Sequence, residues 1–116
     1  MAGLVQYVIV RSDLAKTWPL GAIMAQACHA CVAVTHLTKE DPHTVEYLSD
    51  LDNMHKCVLS IDSEVKLKNL AAKLSENSIE YKMWVEQPED YPTCLAVKPY
   101  PKDEVKQYFK KLKLLS

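Results

Sequence analysis

Leu4-Val5-Gln6-Tyr7-Val8-Ile9-Val10 is a short, β-branched and almost wholly apolar run. A strand with one wet face alternates apolar and polar residues. A run without that alternation predicts a strand covered on both faces. The following residues supply the cover. Arg11-Ser12-Asp13 closes the strand, and from Leu20 to about Lys39 apolar residues recur at helical spacing, with Ile23, Ala27, Ala30, Val34 and Leu37 as the inward stripe. Asp41-Pro42 opens a second helix, because a capping aspartate followed by proline suits a helix start. Val45, Leu48 and Leu51 carry that helix inward to about Asp52.

Lys56 to Ile61 reads as a second strand. Asp62-Ser63 then caps a helix from Glu64 to about Asn77, with Val65, Leu67, Leu70, Ala71 and Leu74 inward. Glu80–Glu86 and Thr93–Lys98 read as two further strands, joined by the polar loop Gln87-Pro-Glu-Asp-Tyr-Pro92. Pro101 starts a last helix to about Leu112. The order β-α-α-β-α-β-β-α predicts one α/β domain over residues 1–116, a mixed four-stranded sheet with helices on both faces.

Bulk composition narrows the function classes. With 116 residues, 48% hydrophobic and 25% charged, the chain is an ordinary globular domain. Its 14 basic and 15 acidic residues give a net charge of −1, so any nucleic-acid contact must come from a local patch. The opening Met1-Ala-Gly-Leu-Val lacks the basic region and long apolar run of a signal peptide. No stretch is expected to reach the roughly 18–20 residues of a membrane span. The four cysteines, Cys28, Cys31, Cys57 and Cys94, lack disulfide-scaffold spacing and read as buried, reduced thiols. Cytoplasmic residence is the expectation.

The chemistry concentrates in Gly21-Ala-Ile-Met-Ala-Gln-Ala-Cys-His-Ala30, which reads as a helix start packed closely against other backbone. Gln26 and His29 stand three residues apart and share one helical face. A polar pair on an apolar helix needs hydrogen bonds or chemistry to offset its burial. A neutral His29 can orient or deprotonate a water, with Asp13 or Glu86 fixing its tautomer. Glu86 stands at a strand end, where sites of α/β sheets gather, and Thr93 begins the next strand across the same loop. Cys28-His29-Ala30-Cys31 does not make a zinc site, since no second ligand pair has suitable spacing. With only two glycines, the chain cannot build a Gly-rich phosphate cradle. Lys102, Lys106, Lys110 and Lys113 form a basic helical face that is either solvated or phosphate-binding, and Arg11, Lys16 and Lys98 are the better phosphate ligands.

In this order the motifs resemble those of the class II peptidyl-tRNA hydrolases of archaea and eukaryotes, across nearly the whole chain. The resemblance runs through Val10-Arg-Ser-Asp13-Leu, Gly21-x-Ile-x-Ala-Gln26-x-x-His29-Ala, Val58-Leu-Ser-Ile-Asp62-Ser-Glu, Thr93-x-Leu-Ala-Val-x-Pro99 and Leu112-Lys-Leu-Leu115. Trp18-Pro19 and Trp84-Val-Glu-Gln-Pro88 resemble the eukaryotic peptidyl-tRNA hydrolase domain-containing subgroup. The resemblance implies cleavage of the ester joining a peptide to the 3′ adenosine of tRNA, without metal or organic cofactor, often by a homodimer. Gln26, His29 and Thr93 match motif positions. The family's functional lysine is replaced by Ala22, a second by Leu20, and its aspartate by Glu86; the loop after Glu86 is shorter and lacks a threonine that the family uses.

Three readings remain open at this level. The first is a hydrolase in which Glu86 and His29 handle the water, Gln26 and Thr93 orient the ester, and Arg11, Lys16 and Lys98 hold phosphates. The second is a tRNA-binding protein that has lost efficient hydrolysis. The third is a protein-interaction module.

Overall fold

The computed structural model describes residues 3–116. Met1 and Ala2, on which the reading of the chain's opening partly rests, lie outside them. The chain begins with β1 (Leu4–Arg11), a single helical turn α1 (Ser12–Ala15) and the long helix α2 (Leu20–Leu37). Next come α3 (Pro42–Leu48), a 3-10 turn at Leu51–Asn53, β2 (Lys56–Ile61) and α4 (Glu64–Glu76). The hairpin strands β3 (Tyr81–Glu86) and β4 (Tyr91–Val97) follow, then β5 (Tyr100–Pro101), α5 (Lys102–Val105), a 3-10 turn at Lys106–Tyr108 and β6 (Lys113–Leu114).

The α/β class and the mixed sheet hold, but the sheet has six strands rather than four. Its order is β3-β4-β1-β2-β6, with β5 pairing separately to the start of β1. Only β1 and β2 run parallel; β4, β5 and β6 join antiparallel. Two-residue strands carry too little pattern to be read from sequence. The last helix also stops short: α5 ends at Val105, because Phe109 is drawn into the core and Lys113–Leu114 pairs with the edge of β2. Lys102, Lys106, Lys110 and Lys113 therefore do not share one helical face.

β1 is buried along nearly its whole length, as its unbroken apolar run requires. Tyr7 and Ile9 enter a core capped by α4 through Leu67, Leu70 and Leu74. Val8 and Val10 enter the opposite core, where α2 contributes Ile23, Ala30 and Val34. Helices thus cover both faces. Ser63 caps α4 by accepting from the Lys66 N–H, and Asp41 caps α3 by accepting from the His43 N–H.

Several local expectations need correction. Leu37 is 66% exposed, and Val45, Leu48, Leu51 and Val65 also face solvent. In α3 the inward positions are Thr44, which bonds Thr38, and Tyr47, whose hydroxyl donates to the His55 carbonyl. Side-chain hydrogen bonds turn that short helix, against its apolar pattern. Of the four thiols only Cys94 is buried, while Cys28 is exposed and Cys31 and Cys57 are half-buried. Gly21 is not a close-approach glycine, since a Cβ there would meet nothing within 4 Å. The 18 residues of α2 are, by length and a mean hydropathy of 1.4, apolar enough to cross a membrane, contrary to the sequence expectation. In this fold α2 lies across β3 and β4.

Candidate active site

One end of the sheet gathers the last residues of β1, β2 and β3 and the first of β4. Along β3, alternation sends Trp84 and Glu86 to the α2 face. Thr93 reaches the same face through an irregularity. The β3–β4 register steps from Trp84↔Cys94 to Val85↔Pro92, so Thr93 is the extra residue of a bulge. Bulges re-aim side chains, and this one turns Thr93 toward α2. There Gln26, only 3% exposed, meets it.

These side chains form one hydrogen-bonded chain. The Thr93 hydroxyl donates to Gln26 Oε1 at 3.1 Å, Gln26 Nε2 donates to Glu86 Oε2 at 3.1 Å, and Trp84 Nε1 donates to Glu86 Oε1 at 3.2 Å. An ionised carboxylate only accepts, so it fixes the amide with nitrogen toward Glu86 and oxygen toward Thr93. Donation from Trp84, then from Gln26, holds the Glu86 carboxyl below its ordinary value. Glu86 is thus a firmly held anion and a weak base. His29 lies exposed beside it, its ring stacked on Trp84 with centroids 4.6 Å apart and planes 25° from parallel. No hydrogen bond within the described residues ties the His29 ring nitrogens, which leaves them open to a ligand or water.

Cys94 is a thiol in contact with the site, its Sγ donating to the Gln26 carbonyl oxygen at 3.4 Å. Burial pushes its pKa up to about 12, so at neutral pH it stays a thiol and does not act as a nucleophile. Thr93 is also unactivated, because its proton goes to an amide oxygen rather than to a base. The arrangement can hold a water against an exposed imidazole and a fixed carboxylate, with one Gln26 N–H still to donate.

The remaining predicted residues are brought elsewhere or otherwise engaged. The Arg11 guanidinium is buried and directs two bonds to Asp13, one to Glu64 and one to the Pro92 carbonyl. Four of its five donors are therefore satisfied internally. The Arg11 hydrogen bond holds the Asp13 carboxyl low, and Asp13 is committed to that partner rather than to His29. Lys16 ends α1 on the exposed turn leading to α2. Lys98 does not flank the site. It lies just past the far end of β4, 3% exposed, with Nζ 3.1 Å from Asp41, 3.2 Å from His43 Nδ1 and 3.7 Å from the Tyr100 ring centroid. It stands five residue steps from Thr93, roughly 17 Å at about 3.4 Å per residue.

Trp84 is the site residue that sequence reasoning passed over. The signal was present, since two residues apart on a strand it had to share a face with Glu86. Among the described residues no three His, Cys, Asp or Glu side chains converge as metal ligands would.

The family model described as peptidyl-tRNA hydrolase PTH2 matches residues 4–115. A mouse protein named "Putative peptidyl-tRNA hydrolase PTRHD1" is 49% identical over 114 residues, which span 96% of this chain and 81% of the mouse protein. The human protein of the same name is 48% identical over 114 residues, with the same shares of the two chains.

Proposed function

The chain belongs to the peptidyl-tRNA hydrolase PTH2 family, and we propose that it cleaves the ester between a peptide and the 3′-terminal ribose of tRNA at the Gln26–Glu86 centre. The single observation that carries the reading is the Thr93–Gln26–Glu86–Trp84 hydrogen-bonded chain beside an exposed His29.

Ester hydrolysis needs a positioned water, an acceptor for its proton, donors for the oxyanion, and a proton for the departing ribose oxygen. In this reading His29 takes the water's proton and returns it to the leaving oxygen. Glu86, held low by its two donors, stays ionised and stabilises the imidazolium formed in between. The second Gln26 N–H donates to the developing oxyanion, and Thr93 keeps the amide in the orientation that frees this N–H. Lys16 is the exposed cation that stands in for the family's lysine, replaced here by Ala22. Cytoplasmic residence, a part in translation and a homodimer belong to the same proposal. The homodimer is supported by the exposed apolar residues Leu20, Met24 and Val32 on α2.

Ala22 favours a second reading, a tRNA-binding protein without efficient hydrolysis. Single-turnover hydrolysis of a defined peptidyl-tRNA by wild type, His29→Ala and Glu86→Gln separates the two. The hydrolase reading expects wild-type turnover that both substitutions reduce. No wild-type turnover together with salt-sensitive tRNA binding in all three proteins would leave recognition alone.

A further inference from the structure

Charge is unevenly spread along the sheet end that carries the site. Strand order places Glu86 and Trp84 on β3 at one flank, then Thr93 on β4, Arg11 on β1, Ile61 on β2, and Lys113 on β6 at the other. The turn that joins β3 to β4 exposes Glu89 and Asp90. At the β6 flank Lys113 is paired in register with Ser60, which sets Lys111 level with Asp62, just past the end of β2. Lys66, Lys111, Lys113, Ser12 and Ser60 line one concavity of about 490 Å³ there, together with Asp62.

The acids in and around that concavity each have a basic partner. Asp62 is 3.0 Å from Lys66, Glu64 is 2.8 Å from Lys68, and Asp13 is 2.7 Å from Arg11. Lys111 and Lys113 are exposed and have no carboxylate partner among the described residues. With Lys16 they are the uncommitted positive charge of this end, while the β3–β4 turn is acidic. This charge pattern would repel a polyanion from the turn bearing Glu89 and Asp90 and attract it toward β6.

Distance agrees with direction. Four strand spacings separate β3 from β6, about 19 Å at about 4.8 Å each. That is the span of a few nucleotides of single strand, which is what the unpaired 3′ end of a tRNA offers between its ester and its duplex stem. Lys102 and Lys39 are also exposed but lie elsewhere, Lys102 beside Gly3 at the start of β1 and Lys39 past the end of α2.

We propose that Lys111 and Lys113 hold acceptor-strand phosphates, so that the RNA runs from the Gln26–Glu86 centre over the β1–β2 end toward β6. This rests on the hydrolase reading and adds a footprint and a direction to it. Each phosphate neutralised releases counterions, so each lysine lost reduces the salt dependence of binding by roughly one unit of slope.

The test measures binding of a deacylated acceptor-stem hairpin with its single-stranded 3′ tail across a salt series. The variants are Lys111→Glu/Lys113→Glu and, with the same net charge, Lys39→Glu/Lys102→Glu. The expected result is a loss on the order of tenfold and a shallower salt slope, by about two, for the first pair alone. Equal losses in both pairs would reduce the effect to net charge and overturn the footprint. Unchanged binding in the first pair, with a gain from Glu89→Lys/Asp90→Lys, would reverse the direction and overturn it too. No binding by wild type would contradict the hydrolase reading itself, a failure distinguishable from the other two because it precedes any substitution.

Discussion

The two ends of the sheet each hold a buried cation, yet they are built to different purposes. At the far end Lys98 is enclosed by Asp41, His43, the Pro99 carbonyl and the Tyr100 ring. At the near end Arg11 joins Asp13, Glu64 and the Pro92 carbonyl, tying β1 to β4 and α4. Both cations act as struts, with the three Lys98 donors and four of the five Arg11 donors engaged internally. Only the near end adds a neutral amide bridging a hydroxyl and a carboxylate, with an exposed imidazole beside it. A buried charge alone is therefore a poor guide to function here; the residue with spare donor capacity beside an open face is the better one.

Removing the struts gives the largest expected effects on stability. Lys98→Met leaves Asp41 without its partner in a half-buried place, and breaking a buried pair from one side costs about 3 kcal/mol. Arg11→Met should cost less, about 2 kcal/mol, because Asp13 and Glu64 are 40% and 39% exposed and water takes over their solvation. Urea midpoints measure both. A smaller loss for Lys98→Met than for Arg11→Met would break the contrast between a closed end and an open one.

Thr93 tests the near end with a finer change. Thr93→Val keeps the shape but removes the donor to Gln26 Oε1, which should cost about 1–2 kcal/mol and slow hydrolysis. Thr93→Ser retains the donor and should restore most of the rate. Equal rates in the two variants would mean that the amide's orientation does not matter to the chemistry.

The smallest effects are in pH. Burial alone would raise the Asp41 carboxyl, but the Lys98 hydrogen bond and the His43 N–H outweigh it and hold the group low. Asp13 is held low by Arg11, and Glu86 by Trp84 and Gln26. A lowered carboxyl adds stability that is fully present above its ordinary pKa and is lost as pH falls through the native value. Stability should therefore be level near neutrality and decline below the ordinary carboxylate range. Asp41→Asn should flatten that decline more than Glu86→Gln, whose carboxylate meets solvent; the reverse order would place the tighter carboxylate at the site.

Much of this was legible in the chain. The unbroken run of β1 announced a strand with two covered faces, and the stripe of α2 named its main cover. The helical rhythm of residues 102–113 misled, because burial of Phe109 and pairing of Lys113–Leu114 with β2 override local periodicity. Gln26, His29, Glu86 and Thr93 were found as residue types at suggestive places. The bulge that brings Thr93 to them has no sequence mark, since it depends on how two strands slip past one another. Lys98 was misplaced for an avoidable reason: five residue steps from Thr93 already put it at the other end.

The most direct measurement pairs single-turnover hydrolysis of a defined peptidyl-tRNA with urea unfolding for wild type, Gln26→Met and Lys98→Met. Gln26→Met is expected to lower the rate on the order of 10²-fold or more while remaining folded. Lys98→Met is expected to keep the wild-type rate at temperatures where it is folded and to lose stability instead. A full rate in Gln26→Met, or no turnover in the wild type, would contradict catalysis at the Gln26–Glu86 centre.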